Sequence, residues 1–297
     1  MDMSIFKGSM VAIATPMNED GSLDFESLEH LIEFHISNQT DVIISVGTTG
    51  ESATLDFDEH SRVIKTTIEI VKGRIPVIAG TGANSTTEAI ELTDSAKKNG
   101  ADACLLVTPY YNKPPQEGLF QHYMRIANEV DIPQILYNVP GRTSVDMQPE
   151  TVLRLSTHNN IIGIKEASGN KERSQRLMQM CSDNIQIFTG DDKTSMNDII
   201  DGFSGNISVT ANVAPHEMHL MCKYAMEGNL EKASKINTKI DILHDELFCE
   251  SNPIPVKWCL HKMGLIKKGI RLPLTWMDSS YEQSLNSALI KAGIINE

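Results

Sequence analysis

Short apolar runs alternate with longer stretches of helical periodicity along most of the chain. The first run, SMVAIATPM (9–17), is followed after a Gly-Ser turn by FESLEHLIEFHISNQ (25–39). There Leu28, Leu31, Ile32 and His35 recur at helical spacing and give one apolar face. The pairing repeats with VIISVG (42–47) and a helix over 57–72, IPVIAGTG (75–82) and 86–98, and ACLLVTP (103–109) and 116–130. It continues with PQILYNVP (133–140) and 148–156, IIGIKEAS (161–168) and 171–181, and IQIFTGDD (185–192) and 193–201. The last unit is GNISVTAN (205–212) with a helix over 215–227, where Pro215 suits the first turn. Each run is continuously apolar, so both faces of each strand are covered, as in a parallel sheet. Eight strand–helix units spaced roughly 30 residues apart predict an α/β fold, a (β/α)8 TIM barrel. A doubly wound sheet is the alternative, but ATPMNEDGS follows the first strand where a Gly-x-Gly-x-x-Gly turn would stand. Beyond residue 228 only helical patterns remain, over 230–248, 253–263 and 279–292. The expected organisation is a catalytic barrel over 1–228 and a C-terminal helical extension over 229–297 packed on it.

Composition narrows the partners. The 297 residues are 40% hydrophobic and 22% charged, ordinary for a globular chain. A net charge of −13 and a pI near 5.1 lack the basic footprint of nucleic-acid or anionic-membrane binding. No run approaches the roughly 18 apolar residues that span a bilayer. The opening MDMSIFKGSM has no apolar core of signal-peptide length. Five cysteines, an odd number with no Cys-x-x-Cys pair, suit a reducing, cytoplasmic setting.

In a barrel, chemistry gathers at the C-terminal ends of the strands. There, IIGIKEAS carries Lys165 at the end of an isoleucine run. Stripping an ammonium of water is costly, and desolvation favours the neutral amine, a nucleophile that can form a Schiff base with a ketone. The plainer reading pairs Lys165 with Glu166 or lets its stem reach solvent. GTTGES (47–52) offers turn amides and the hydroxyls of Thr48 and Thr49 as an anion nest; it also reads as an ordinary turn with Ser52 or Thr54 near a helix cap. YNVPGRT (137–143) sets Tyr137 to relay protons and Arg142 to hold a carboxylate, or else a core tyrosine beside a solvated arginine. TPYYNKPPQEG (108–118) exposes adjacent tyrosines suited to the site or to a subunit interface. GDD (190–192) reads as a helix cap followed by first-turn acids more simply than as a metal site. All nine histidines fall in helices or in loops before strands, so no metal is expected.

Taken together, GTTGESATL (47–55), YNVPGRT (137–143), GIKEASG (163–169), TGDD (189–192), ISVTANV (207–213) and ESNPIPVKW (250–258) closely resemble the dihydrodipicolinate synthase family of pyruvate-dependent class I aldolases. The similarity runs from about residue 5 to the C-terminus without large insertions. It implies a lyase that condenses pyruvate with L-aspartate 4-semialdehyde on the diaminopimelate route to lysine, with no cofactor beyond an imine on Lys165. Thr48, Tyr137 and Tyr111 match the proton relay, Tyr111 reaching into a partner subunit's site. Thr49 matches the group that binds the pyruvate carboxylate, Gly190 and Ile207 match pocket residues, and Arg142 matches the arginine that holds the semialdehyde. Ser52, Ala53, His60, Asn84, Glu88 and Tyr110 match positions that bind lysine as feedback inhibitor, and the family assembly implied is a homotetramer of two tight dimers. Two departures stand out. Phe57 occupies a position where enteric-type members carry histidine, which implies weaker inhibition, and Gly141 stands where a serine is common. The rivals are an N-acetylneuraminate lyase or related keto-sugar-acid aldolase, which generally lacks an arginine at position 142, and a catalytically silent ligand-binding barrel.

Overall fold

The structure, a computed structural model, describes residues 5–296; residues 1–4, which begin the stretch searched for an export signal, and residue 297 lie outside it. The apolar runs form β1 (Gly8–Ala12), β2 (Val42–Ser45), β3 (Val77–Gly80), β4 (Ala103–Val107), β5 (Gln134–Asn138), β6 (Ile161–Glu166), β7 (Gln186–Thr189) and β8 (Gly205–Ser208). They close in sequence order into one parallel barrel, with Gly8 of β1 opposite Gly205 of β8.

Continuous apolar runs were the sequence signal because alternate residues serve two different cores. Met10, Ile44, Ile78, Leu105, Ile135 and Phe188 fill the barrel interior. Their neighbours Val11, Ile43, Ala79, Leu106, Leu136 and Ile187 pack outward against the helices. The helical layer comprises α1 (Phe25–Ser37), α2 (Phe57–Val71), α3 (Thr86–Asn99), α4 (Gln116–Glu129), α5 (Pro140–Thr143), α6 (Pro149–Leu155), α7 (Lys171–Cys181), α8 (Ser195–Ile200) and α9 (Pro215–Met226). In α1 the residues at helical spacing, Leu28, Leu31, Ile32 and His35, are the buried ones. Helix α2 starts at a capping box in which Asp56 accepts from the Glu59 N–H at 2.8 Å, so neither Ser52 nor Thr54 caps it. The four-residue α5 lies inside YNVPGRT, where the sequence pattern showed only a loop; Pro140 at its first position favours the helical φ.

After the barrel come α10 (Leu230–Glu246), α11 (Ile254–Lys262) and α12 (Glu282–Lys291). From Ile254 to Leu260 every residue of α11 is buried, the lysine at 257 included. Among the described residues no helix is long and apolar enough to cross a membrane, and all five cysteines are unpaired.

Candidate active site

Strand β6 places Lys165 at the C-terminal mouth of the barrel. Along β5 and β6 the register slips by one residue: Gln134 faces Ile161, whereas Ile135 faces Gly163. Ile162 is the extra residue, and the slip resets which side chains point inward. Ile164 then packs outward, and Lys165 turns into the barrel beside Tyr137, its register partner on β5. The Lys165 Nζ lies 4.4 Å from the centroid of the Tyr137 ring. On the other side Gly190 lies so close that a Cβ there would sit 2.4 Å from Lys165 Cε. Glu166 faces the opposite way, as the strand alternation demands. Its carboxylate is taken by Arg173 at 2.6 Å, by the Ser168 N–H at 2.9 Å and by Asn138 Nδ2 at 3.2 Å. Among the described residues no carboxylate lies within ion-pairing distance of Lys165, which removes the plainer reading of a Lys165–Glu166 pair.

The GTTGES turn follows β2 and faces Lys165 across the barrel mouth. Thr15 Oγ1 donates to the Gly50 carbonyl at 2.7 Å, and the Ser52 N–H donates to the Gly47 carbonyl at 3.3 Å. The Thr49 hydroxyl is buried and accepts from Asn252 Nδ2 at 3.0 Å. A hydroxyl is one donor as well as an acceptor, so its own proton stays available for an anion. Glu51, in a left-handed backbone conformation (φ 58°), sends its carboxylate to Lys257 of α11 and to the Arg271 N–H at 3.3 Å. Burial lowers the proton affinity of Lys257, and Glu51 pulls it back up. Sequence reasoning gave no role to Glu51, Asn252, Lys257 or Arg271. Lys257 did carry a signal, a lysine inside the apolar IPVKWCL, the kind of placement that singled out Lys165.

Lys165, Tyr137, Thr48, Thr49, Gly190 and Arg142 line one cavity of about 370 Å3. Arg142 is at the exposed rim, where its Nη2 donates to the Asn252 carbonyl at 3.4 Å. Ile207 packs with Tyr137 and Phe188 in the barrel interior, and Val209, two residues on, reaches the cavity wall. Burial raises the Asp191 carboxyl above its usual range at the same rim. Thr194, not a residue of GDD, stands at the cap of α8, so Asp192 is not the first-turn acid that the sequence suggested. Instead its carboxylate accepts from the Val209 and Thr210 N–H groups at 3.0 and 2.9 Å and from Asn206 Nδ2 at 2.7 Å. Tyr111 is 91% exposed at φ 73° and lines neither this cavity nor the next. Among the described residues no three His, Cys, Asp or Glu side chains converge as metal ligands do.

A second cavity, of about 410 Å3, shares Thr48, Val139, Arg142 and Asn252 with the first. Ser52, Ala53, His60, Glu88, Tyr110 and Phe57 line it. Asn84 lies outside its wall, with its carbonyl accepting from Asn112 Nδ2 at 2.8 Å. Burial pushes His60 down to about 4, so it is neutral near pH 7. Burial and the charge of Glu88 raise the Tyr110 phenol.

Comparison with known proteins follows the same outline. The model of the dihydrodipicolinate synthetase family matches residues 5–292. A 4-hydroxy-tetrahydrodipicolinate synthase of Thioalkalivibrio sulfidiphilus is 59% identical over 98% of this chain and 99% of its own. The chloride-inhibited dihydrodipicolinate synthase of Acinetobacter baumannii, solved with pyruvate, superposes with a TM-score of 0.96 at 55% identity, covering 97% of this chain and 99% of its own. The Cyanidioschyzon merolae enzyme, solved with lysine bound, gives 0.94 at 39% identity over 98% and 99%.

Proposed function

The chain belongs to the dihydrodipicolinate synthetase family, and we propose that it condenses pyruvate with L-aspartate 4-semialdehyde through an imine on Lys165. The product is 4-hydroxy-tetrahydrodipicolinate, on the route to diaminopimelate and lysine. One observation carries the site assignment: Lys165 is enclosed at the cavity floor, 4.4 Å from the Tyr137 ring, with its neighbouring carboxylate turned away to Arg173.

The amine of Lys165 adds to the keto carbon of pyruvate, and water leaves as the imine forms. Thr49 and the turn amides receive the pyruvate carboxylate. The imine nitrogen accepts electrons far better than a ketone oxygen, so a methyl proton can depart through Thr48 and Tyr137 to give the enamine. Alcohols and phenols as a class are poor bases near neutral pH, so a hydrogen-bonded relay is required. The enamine carbon attacks the aldehyde, while Arg142 holds the semialdehyde's carboxylate at the rim. The semialdehyde's own amine then displaces Lys165 from the imine carbon, which closes the ring and frees the lysine. With a net charge of −13, the protein repels both acids, so Arg142, Lys165 and the turn amides supply the local positive field.

Residues 1–228 serve as the catalytic barrel in this reading, and residues 229–297 as an extension that braces it. Tyr111 completes the relay of a partner subunit within a homotetramer of two tight dimers; its exposure and left-handed backbone support a role outside its own barrel. A sedimentation measurement showing only monomer at assay concentration contradicts the shared site. Lysine occupies the second cavity, with Glu88 facing its ammonium and Phe57 weakening the grip. Titration with millimolar lysine giving neither heat nor inhibition removes that assignment. Five unpaired cysteines suit a cytoplasmic location. Purified protein is expected to consume pyruvate together with aspartate semialdehyde and to leave N-acetylneuraminate uncleaved; cleavage without condensation contradicts the reading.

A further inference from the structure

Lys257 and Glu51 form an ion pair that the condensation chemistry does not use, and both side chains are wholly shielded from water. Glu51 closes the turn that carries Thr48 and Thr49, and its N–H donates to the Thr48 carbonyl at 3.1 Å. Lys257 reaches it from α11, across 206 positions of sequence. From the same C-terminal segment, Asn252 reaches the Thr49 hydroxyl at 3.0 Å. The turn is therefore gripped at two points on either side of Gly50, both from outside the barrel strands.

A buried ion pair seldom stabilises a fold more than an apolar pair of the same volume, so stability alone gives no reason for a lysine here. Direction does. Glu51 is a non-glycine residue at φ 58°, a backbone state that persists only when its surroundings enforce it. A charged, hydrogen-bonded contact permits one placement of that residue, whereas apolar side chains permit many.

We infer that Lys257 is a positioning residue for keto-acid recognition, holding the Thr48–Thr49 turn through Glu51 in the geometry that receives the carboxylate of pyruvate. The inference rests on the imine reading of Lys165. It separates the two substrates, because the aldehyde partner's carboxylate meets Arg142, which belongs to α5 after β5.

The test compares Lys257→Met, which leaves a lone buried carboxylate, with the uncharged pair Lys257→Met/Glu51→Gln, which relieves that burial if the single variant fails to fold. The readout is the pyruvate concentration that gives half-maximal trapping by borohydride, alongside the KM for each substrate. The folded variants are expected to need about tenfold more pyruvate, with the KM for aspartate semialdehyde within about twofold of the unaltered protein. Trapping at unchanged pyruvate concentration, with only Tm or the active fraction lowered, makes the pair merely structural and overturns the inference alone. No trapping in the unaltered protein removes the imine reading and this inference with it.

Discussion

Lys165 has almost no room to move, because the Tyr137 ring stands on one side and the Gly190 backbone on the other. Gly190→Ala places a methyl group 2.4 Å from Lys165 Cε, so either the lysine or the strand end must shift. A displacement of about 1 Å at a reacting atom costs on the order of 100-fold, so kcat/KM is expected to fall by about that factor with little change in Tm. Steady-state kinetics at unchanged activity would show that the lysine tolerates the displacement. The residues of this cavity were legible in the chain to the extent that strand ends announce themselves. A lysine closing an isoleucine run and a glycine-flanked pair of threonines both stand out against apolar surroundings. Asn252 did not stand out, and the buried-lysine signal of Lys257 pointed to no role, because their partners Thr49 and Glu51 lie more than 200 positions away and only the closed barrel brings them together.

Strand β6 shows what periodicity misses at the scale of an element. Ile161, Ile162 and Ile164 are all apolar, so nothing in their pattern reveals the register slip that turns Lys165 inward. Gly163 is part of the same arrangement: a Cβ there would meet the Phe188 ring at 2.8 Å, and Phe188 packs in the barrel interior. The eight strands and the main helices were otherwise legible, whereas α5 was not, since four residues are too short to show a helical period. Asp192 ties two elements together by accepting from the backbone N–H groups of Val209 and Thr210 just beyond β8. Asp192→Ala leaves both donors without this partner, at about 1–3 kcal/mol each. Urea denaturation is expected to show a loss of about 2–6 kcal/mol for the two donors together, and Val209 in the cavity wall should loosen with it. An unchanged midpoint would mean that water or the chain replaces the carboxylate at no cost.

Over the whole molecule, buried histidines contribute to the response to acid. Burial pushes His35 to about 3, and His60 and His122 to about 4, from an ordinary value of 6.5. Below about pH 6.5 the unfolded chain takes up these protons, while the folded chain stays neutral at these positions until about pH 4. Stability from these groups is therefore full above 6.5 and declines as the pH drops through that window. Each tenfold loss of proton affinity is worth about 1.4 kcal/mol, so the combined loss runs to several kcal/mol. The urea midpoint is expected to be clearly lower at about pH 5 than at about pH 7, and equal midpoints contradict the buried, neutral state. The same scale explains the C-terminal helices. They add no strand to the barrel, yet α11 and the segment just before it supply the two side chains, Lys257 and Asn252, that grip the turn carrying Thr48 and Thr49.

In this reading one enclosed amine captures the keto acid covalently, and borohydride reduction in the presence of pyruvate would fix that bond in place. Peptide mass analysis is expected to find the reduced pyruvate adduct on Lys165, with activity lost in proportion and no adduct on Lys165→Ala. An unmodified Lys165 in protein that remains active after the same treatment would contradict the account.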